Sequence, residues 1–475
     1  MAINQLSVIP IGDSLGIRGP QNSCAASANF GLSPRARSGR TVKSVLRCER
    51  HNRNTVSRVR LPMGTRTKEA PMFYGGIDWS EDHHNLCLMN EAGARVSEIE
   101  FAHSAQGFAQ VETERRKLNV PAGECVTAIE TSYNLLADFL LDRGYLVHIV
   151  PPGATDGYRN RQGLSGAHTD GSDAALLASI MRTDRDSHRR LRPNKPLTRQ
   201  MMAQVRLIEN LRRSIQRQEN QLRALLLRVY PQILGLFSKL KAQISLQFLM
   251  AYPTAQEAQS LSLQQFEAFC REQRYTRTDL ISKRYAQLIE PAPEASPADA
   301  LAHRDQIIIL AEVLLLQVRR RSEAQSRLKQ LFAQHPDAFL FDSLPGAGDL
   351  LAPGLLVKFG DHRDRFPTPA AVQALAGTCP VTESSGKRKR VKFRKACDKE
   401  FRRIVQQFAR ASKRESGWAA AYWQEGRPHW NSDSHAYRCL ANRWLAIIWK
   451  IWQEREPYDE AYHLRQRALR RRPRP

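Results

Sequence analysis

The stretch from residue 73 to 150 confines the fold more tightly than any other part of the chain. Phe73-Tyr74-Gly75-Gly76-Ile77-Asp78-Trp79 reads as a strand, residues 85–89 as a second and residues 95–101 as a third, with Glu91-Ala92-Gly93 as the turn between the last two. Ser104 is placed to cap a helix reaching about Lys117. Residues 126–130 form a fourth strand. Residues 133–143 carry Leu135, Leu136, Phe139 and Leu140 on one helical face. Gly144 ends that helix, and residues 146–150 are a fifth strand before Pro151-Pro152. The order is β-β-β-α-β-α-β.

Two carboxylates sit where this pattern wants apolar side chains. Asp78 lies between Ile77 and Trp79, and Glu130 closes a strand after Ala128-Ile129. A carboxylate in an apolar run is costly unless it binds something. Two of them on neighbouring strands can point the same way, and their repulsion is relieved by Mg²⁺ or Mn²⁺, which take oxygen ligands. Asp170 and Asp173 stand three apart at a helix start and share a face. They also suit that helix as an N-cap and a first-turn acid favoured by the dipole. The four together could hold two metals for phosphodiester chemistry. The element order matches the ribonuclease-H-like fold, which carries metal-dependent nucleases and many transposases.

Beyond this α/β region, spanning residues 72–190, helical periodicity takes over. Residues 170–182 read as a helix, and Pro193 and Pro196 interrupt the chain. Residues 198–229 form a long amphipathic helix with Val205, Ile208, Leu211, Ile215, Leu222 and Leu225 as its stripe. Residues 300–334 form a second, and the pair reads as an antiparallel hairpin or coiled coil within residues 197–335. A smaller helical insertion, about 236–295, separates them. Residues 338–465 read as a mainly helical, very basic C-terminal domain, and residues 466–475 as a disordered basic tail.

With 72 Lys+Arg against 47 Asp+Glu, the chain carries a formal charge of +25, which selects polyanions and foremost nucleic acid. No run of about 18 apolar residues exists to span a bilayer. The eight cysteines are scattered without a C-x-x-C pair, which argues against a zinc ribbon and a disulfide framework and makes a reducing cytosol the simplest compartment. Residues 1–71 are basic, with 12 Lys/Arg and three acids before residue 71, and read as disordered. They suit a nucleic-acid-touching arm, a transit peptide, or a translation start lying upstream of a true one at Met63 or Met72.

In the C-terminal domain, Leu344-Pro345-Gly346-Ala347-Gly348 resembles the turn of a helix-hairpin-helix, whose glycines let backbone N–H groups approach a phosphate. An ordinary helix–helix turn has the same composition. Ser384-Ser385-Gly386 precedes Lys387-Arg388-Lys389-Arg390 and Lys392. A serine among cations is a plausible phosphoryl nucleophile, since the cations orient the phosphate and stabilise its developing charge.

Gly76-Ile77-Asp78-Trp79-Ser80, Glu130-Thr131-Ser132-Tyr133-Asn134 and Thr169-Asp170-x-x-Asp173-Ala174 resemble the DEDD transposases of insertion-sequence family one-ten, which includes the Piv-type DNA invertases. The resemblance covers roughly residues 73–425. It implies a RuvC-like N-terminal domain with Asp78, Glu130, Asp170 and Asp173 as metal-binding acids. It also implies a transposase domain in which Pro380 and Ser385-Gly386 match the Pro-x4-Ser-Gly spacing of the catalytic serine, with Ser384 the neighbouring alternative. His168 replaces a frequent lysine, and Arg394-Lys395-Ala396-Cys397-Asp398 stands where the family often has Lys-Arg-Gly-Asn. The resemblance further implies DNA and a structured guide RNA as partners, a homodimer or homotetramer, and a composite site shared between subunits in the bacterial cytoplasm. Two simpler functions fit the residues as well: a RuvC-like junction nuclease with an inert Ser385, or a basic scaffold without catalysis.

Overall fold

The structure, a computed structural model, describes residues 72–131, 134–162, 170–291, 293, 295–385 and 388–471. The expectations for residues 1–71, Ser132, Tyr133, His168, Thr169, Gly386, Lys387 and the last four residues lie outside these.

Five strands appear where the periodicity places them: β1 (Phe73–Trp79), β2 (His83–Met89), β3 (Arg95–Ala102), β4 (Cys125–Ile129) and β5 (Leu146–Ile149). A two-residue strand, β6 (Arg189–Arg190), was not foreseen and closes one edge. The sheet order is β3-β2-β1-β4-β5-β6. β1 pairs antiparallel with β2 and parallel with β4, so the sheet is mixed. Ser104 caps α1 (Ala105–Lys117) by accepting from the Gly107 N–H. Asn134 does the same for α2 (Leu135–Asp142) with the Ala137 N–H.

Period-2 alternation sends the side chains of each strand to two cores. Ile77, Leu86, Phe101 and Ile129 meet α1 and α2 on one face. Tyr74, Cys87, Val126 and Ala128 meet α4 (Asp170–Asp184) on the other. Between β5 and α4 lies α3 (Pro152–Gln162), which the sequence reading missed. Pro152 at its start is the available signal, because a fixed φ and a missing N–H suit a first helical position.

The long helices are α5 (Pro196–Val229) and, after the insertion, α10 (Pro297–Ala333). Pro196 begins α5 rather than interrupting the chain. Thr198 bonds His335 at one end, and Gln317 bonds Ser214 farther along, so the helices run antiparallel. The insertion holds α6 (Gln243–Ala251), α7 (Ala255–Gln259), α8 (Leu263–Glu272) and α9 (Ile281–Ile289), packed with α5 and α10 around Phe237, Phe248 and Phe266.

The C-terminal region comprises α11 (Ala338–Asp342), α12 (Gly348–Phe359), α13 (Pro369–Leu375), α14 (Lys399–Glu415), α15 (Gly417–Gly426), α16 (Asp433–Glu454) and α17 (Glu460–Arg471). Its core is aromatic, with Phe359, Phe401, Phe408, Trp444 and Trp452 fully buried. Each such side chain contributes about 1.5–3 kcal/mol of apolar burial. Two differences from the sequence reading stand out. α17 carries regular structure through Arg471, into the expected tail. A hairpin of β7 (Val381–Ser385) and β8 (Arg388–Lys392) replaces the expected loop. Among the described residues, no helix is long and apolar enough to cross a membrane.

Candidate active site

The acidic constellation begins with strand parity. Residues 74, 76 and 78 of β1 face α4, as do residues 126 and 128 of β4, and the same parity carries to Glu130 just past the strand. Ile77 lies opposite Ile129 in the parallel register, so Asp78 and Glu130 leave the sheet side by side. Gly76 then sets the distance to α4. A Cβ built there would lie 2.0 Å from the Ala174 carbonyl oxygen and 2.4 Å from the Ala178 nitrogen. Only glycine allows the helix that close. Asp170 and Asp173 lie in the first described turn of α4, and Asp170 is itself helical.

The charges register this proximity. Burial, followed by the fields of Asp173, Glu130 and Asp170, raises the pKa of Asp78 to about 6. Burial also pushes Glu130 upward, with Asp173 adding to it and the Thr155 hydroxyl opposing. That hydroxyl lies 3.4 Å from Glu130 Oε1. Arg159 donates to Asp173 Oδ1 at 2.7 Å and also bonds Asp156. Thr155 and Arg159 belong to α3, so the sequence reading had no place for them. Among the described residues, no three acidic, histidine or cysteine side chains converge closely enough to hold one metal ion. The acids form a repelling cluster in which one guanidinium already supplies positive charge. An all-oxygen donor set short of cations fits a hard divalent ion. Holding one requires the carboxylates to turn inward and Arg159 to release Asp173.

Ser385 is the last described residue of β7 and is exposed. It pairs with Arg388 across the hairpin, as Ser384 pairs with Lys389 and Glu383 with Arg390. Directly opposed residues share a face. Ser385 therefore stands with Arg388 and Arg390, and Ser384 stands on the other face with Lys389. Arg388, Lys389, Arg390 and Lys392 are all exposed. Lys392 is tied to Glu383 at 2.6 Å. The Gly-Lys pair at residues 386–387 between the two segments was the available sequence signal for this hairpin.

The Pro-Gly-x-Gly turn divides its glycines between two tasks. Gly346, at φ +77°, presses on α14, where a Cβ would lie 2.9 Å from the Ala411 carbonyl carbon. That hydrogen serves packing rather than an approaching phosphate. Gly348, at φ +54°, opens onto free space and keeps its backbone approachable.

Residues 75–231 match the family of DEDD transposases of IS110, and residues 338–424 match the family described as Transposase IS116/IS110/IS902. The chain belongs to the IS110 family of DEDD transposases. The "Mini-circle putative transposase for IS117" of Streptomyces coelicolor is 28% identical over 399 residues, covering 81% of this chain and 95% of that protein. The uncharacterized 44.8 kDa protein of insertion element IS116 from Streptomyces clavuligerus is 22% identical over 83% of this chain and 98% of its own length. The uncharacterized 43.6 kDa protein of insertion element IS110 from Streptomyces coelicolor is 26% identical over 46% of this chain and 54% of its own. This transposase is thus an enzyme that acts on DNA, and the non-catalytic scaffold falls away. The first matched segment contains all four acids of the cluster, and the second contains Gly346, Gly348 and Ser385.

Proposed function

We propose that this transposase cuts and rejoins DNA with Ser385 as nucleophile, assisted by a divalent metal site built from Asp78, Glu130, Asp170 and Asp173 on a RuvC-like, ribonuclease-H-like domain. The observation that carries the reading is that four carboxylates from three separate chain segments lie close enough for Asp173, Glu130 and Asp170 to add to burial in raising Asp78 to about 6. The two acids on adjacent parallel strands, the helix laid against them by Gly76, and the sheet order β3-β2-β1-β4-β5 support the fold assignment. A bound Mg²⁺ or Mn²⁺ would supply Lewis-acid stabilisation of phosphoryl charge.

Ser385 Oγ attacks phosphorus and loses its proton to solvent. The P–O bond to the leaving deoxyribose oxygen breaks, and that oxygen takes up a proton. A phosphoserine ester preserves the bond energy, so a second deoxyribose hydroxyl can displace the serine and rejoin the strand without a further energy source. Arg388 and Arg390, on the serine's face, orient the phosphate and balance its charge. Lys387, Lys389 and Lys392, with the open backbone at Gly348, belong to the same nucleic-acid surface in this reading, and Gly346 supports it by packing the turn against α14. A structured guide RNA is the partner we expect besides DNA, and a homodimer or homotetramer the working form, with the acids and the serine supplied by different subunits. The cytoplasm is the expected compartment.

The test is the covalent adduct. Ser385→Ala should lose both the protein–DNA link and strand exchange. Cleavage that persists in Ser385→Ala, still dependent on Asp78, would establish the junction-nuclease reading instead. Nucleic acid released from the purified protein and sequenced identifies the guide; recovery of DNA alone removes it.

A further inference from the structure

The acids and the serine leave one charged feature unused. Between the β6 edge and the C-terminal region lies an open cleft of about 660 Å³, lined by the end of α2, residues 189–194, the first turns of α5, the end of α12 and residues 362–365. Its walls are held by contacts across the chain. Asp361 accepts from the Lys195 N–H at 2.6 Å and from the Thr198 hydroxyl at 2.8 Å. The Asp361 N–H donates to Asn194, and the His362 ring bonds the Pro193 carbonyl.

Cations crowd this cleft beyond what its acids balance. Arg192 is paired with Asp364 at 2.6 Å, and Lys358 with Asp398 and Glu400. Among the described residues, no carboxylate lies within ion-pair distance of Arg189, Arg190, Arg199 or Arg365, all of which line the cleft. Arg189 keeps solvent contact, yet the surrounding protein lowers its pKa by desolvation. For Arg365 burial, and then the nearby charge of Arg189, lower the pKa to about 10. Arg365 Nε is buried without a hydrogen-bond partner. Arg365 Nη1 donates to the Phe359 carbonyl, its guanidinium lies over the Phe366 ring and Asp398 offsets part of the Arg189 field, which leaves the buried Nε donor for an anion to complete.

We propose that this cleft is a phosphate clamp, in which Arg189, Arg199 and Arg365 grip the phosphodiester backbone of a nucleic-acid strand between the sheet edge and the C-terminal region. The clamp lies on β6 and the start of α5, so it fixes strand position relative to the α/β region. It involves neither the four acids nor Ser385.

The test uses the full chain in EDTA, so that it reads binding alone and is independent of the metal and the serine. Labelled oligonucleotides of one sequence are offered as duplex DNA, single-stranded DNA and single-stranded RNA across a salt series. Arg189→Gln/Arg199→Gln should weaken binding of at least one of them about 100-fold, at roughly tenfold per charged contact. It should flatten the log–log salt slope by about 1.4 for a single strand or about 1.8 for a duplex. The control is Arg223→Gln/Arg228→Gln, which removes equal charge from α5 roughly 36 to 44 Å beyond Arg199 along the helix. The nucleic acid that loses affinity identifies the strand. An equal loss in both double variants, or none in either, overturns the clamp. Arg199→Gln alone, on the exposed side of α5, decides the matter at half the slope change if the double variant unfolds. Arg365→Lys should keep the slope while weakening binding, because it preserves charge and loses the planar fork.

Discussion

Asp78 and Glu130 extend from the middle of a six-stranded sheet, whereas Ser385 sits on a two-stranded hairpin whose described residues from Thr382 to Lys392 are all exposed. The acids are positioned by Ile77 and Ile129, both fully buried, and by a helix packed to backbone contact. The serine is positioned by cross-strand pairs and one ion pair. An isolated two-stranded ribbon is marginal in water. The first site therefore has its backbone fixed before any partner arrives, at the cost of crowded charge, while its side chains still have to turn to hold an ion. The second is open and cationic.

The sharpest way to break this comparison is to disable each site separately. Ser385→Ala should reduce adduct formation and strand exchange by roughly 10⁴-fold or more, as loss of a nucleophile does elsewhere, whereas Ser384→Ala should retain both. A gel shift resistant to denaturant reads the adduct directly. If Ser384→Ala is the variant that loses it, the nucleophile lies on the other face of the hairpin.

The acid site should respond to a change that touches no carboxylate. Gly76→Ala forces a methyl group into the α4 backbone and should cost about 3 kcal/mol or more, read as a lower denaturation midpoint, with activity falling alongside. A stable, active Gly76→Ala would mean that α4 is not held where Asp170 and Asp173 need it.

A subtler prediction concerns pH. The folded pKa of Asp78, about 6, lies above its ordinary 3.8, so between these values the folded chain keeps a proton that the unfolded chain has lost. Stability from this group falls as pH rises through that window, and the repulsion is fully present above it. Asp78→Asn should flatten this dependence and raise the midpoint at neutral pH while abolishing metal-dependent activity. Added Mg²⁺ or Mn²⁺ should stabilise the wild type and leave Asp78→Asn unchanged. Equal stabilisation of both by metal would detach the ion from the acids.

The smallest effect belongs to the hairpin. Glu383→Gln removes an ion pair whose two side chains are more than half exposed, and should change stability by about 0.2–1 kcal/mol in a denaturant titration. A larger loss would show that the hairpin is more tightly organised than its exposure indicates.

The strands from Phe73 to Ile149, the capping of α1 by Ser104 and the two long helices were legible in the sequence, because each rests on a local period or a local hydrogen bond. Asp78 and Glu130 were legible as misfits in apolar runs. Tertiary structure decided what these residues face. It placed α3 so that Arg159 reaches Asp173, assigned Gly346 to packing against α14, and turned the serine loop into a hairpin with Ser385 and Ser384 on opposite faces. It also gathered Arg189, Arg199 and Arg365 around one cleft. Periodicity reports which side of an element is apolar; it carries no information about which distant segment will press against that side, and charge is felt only once segments meet.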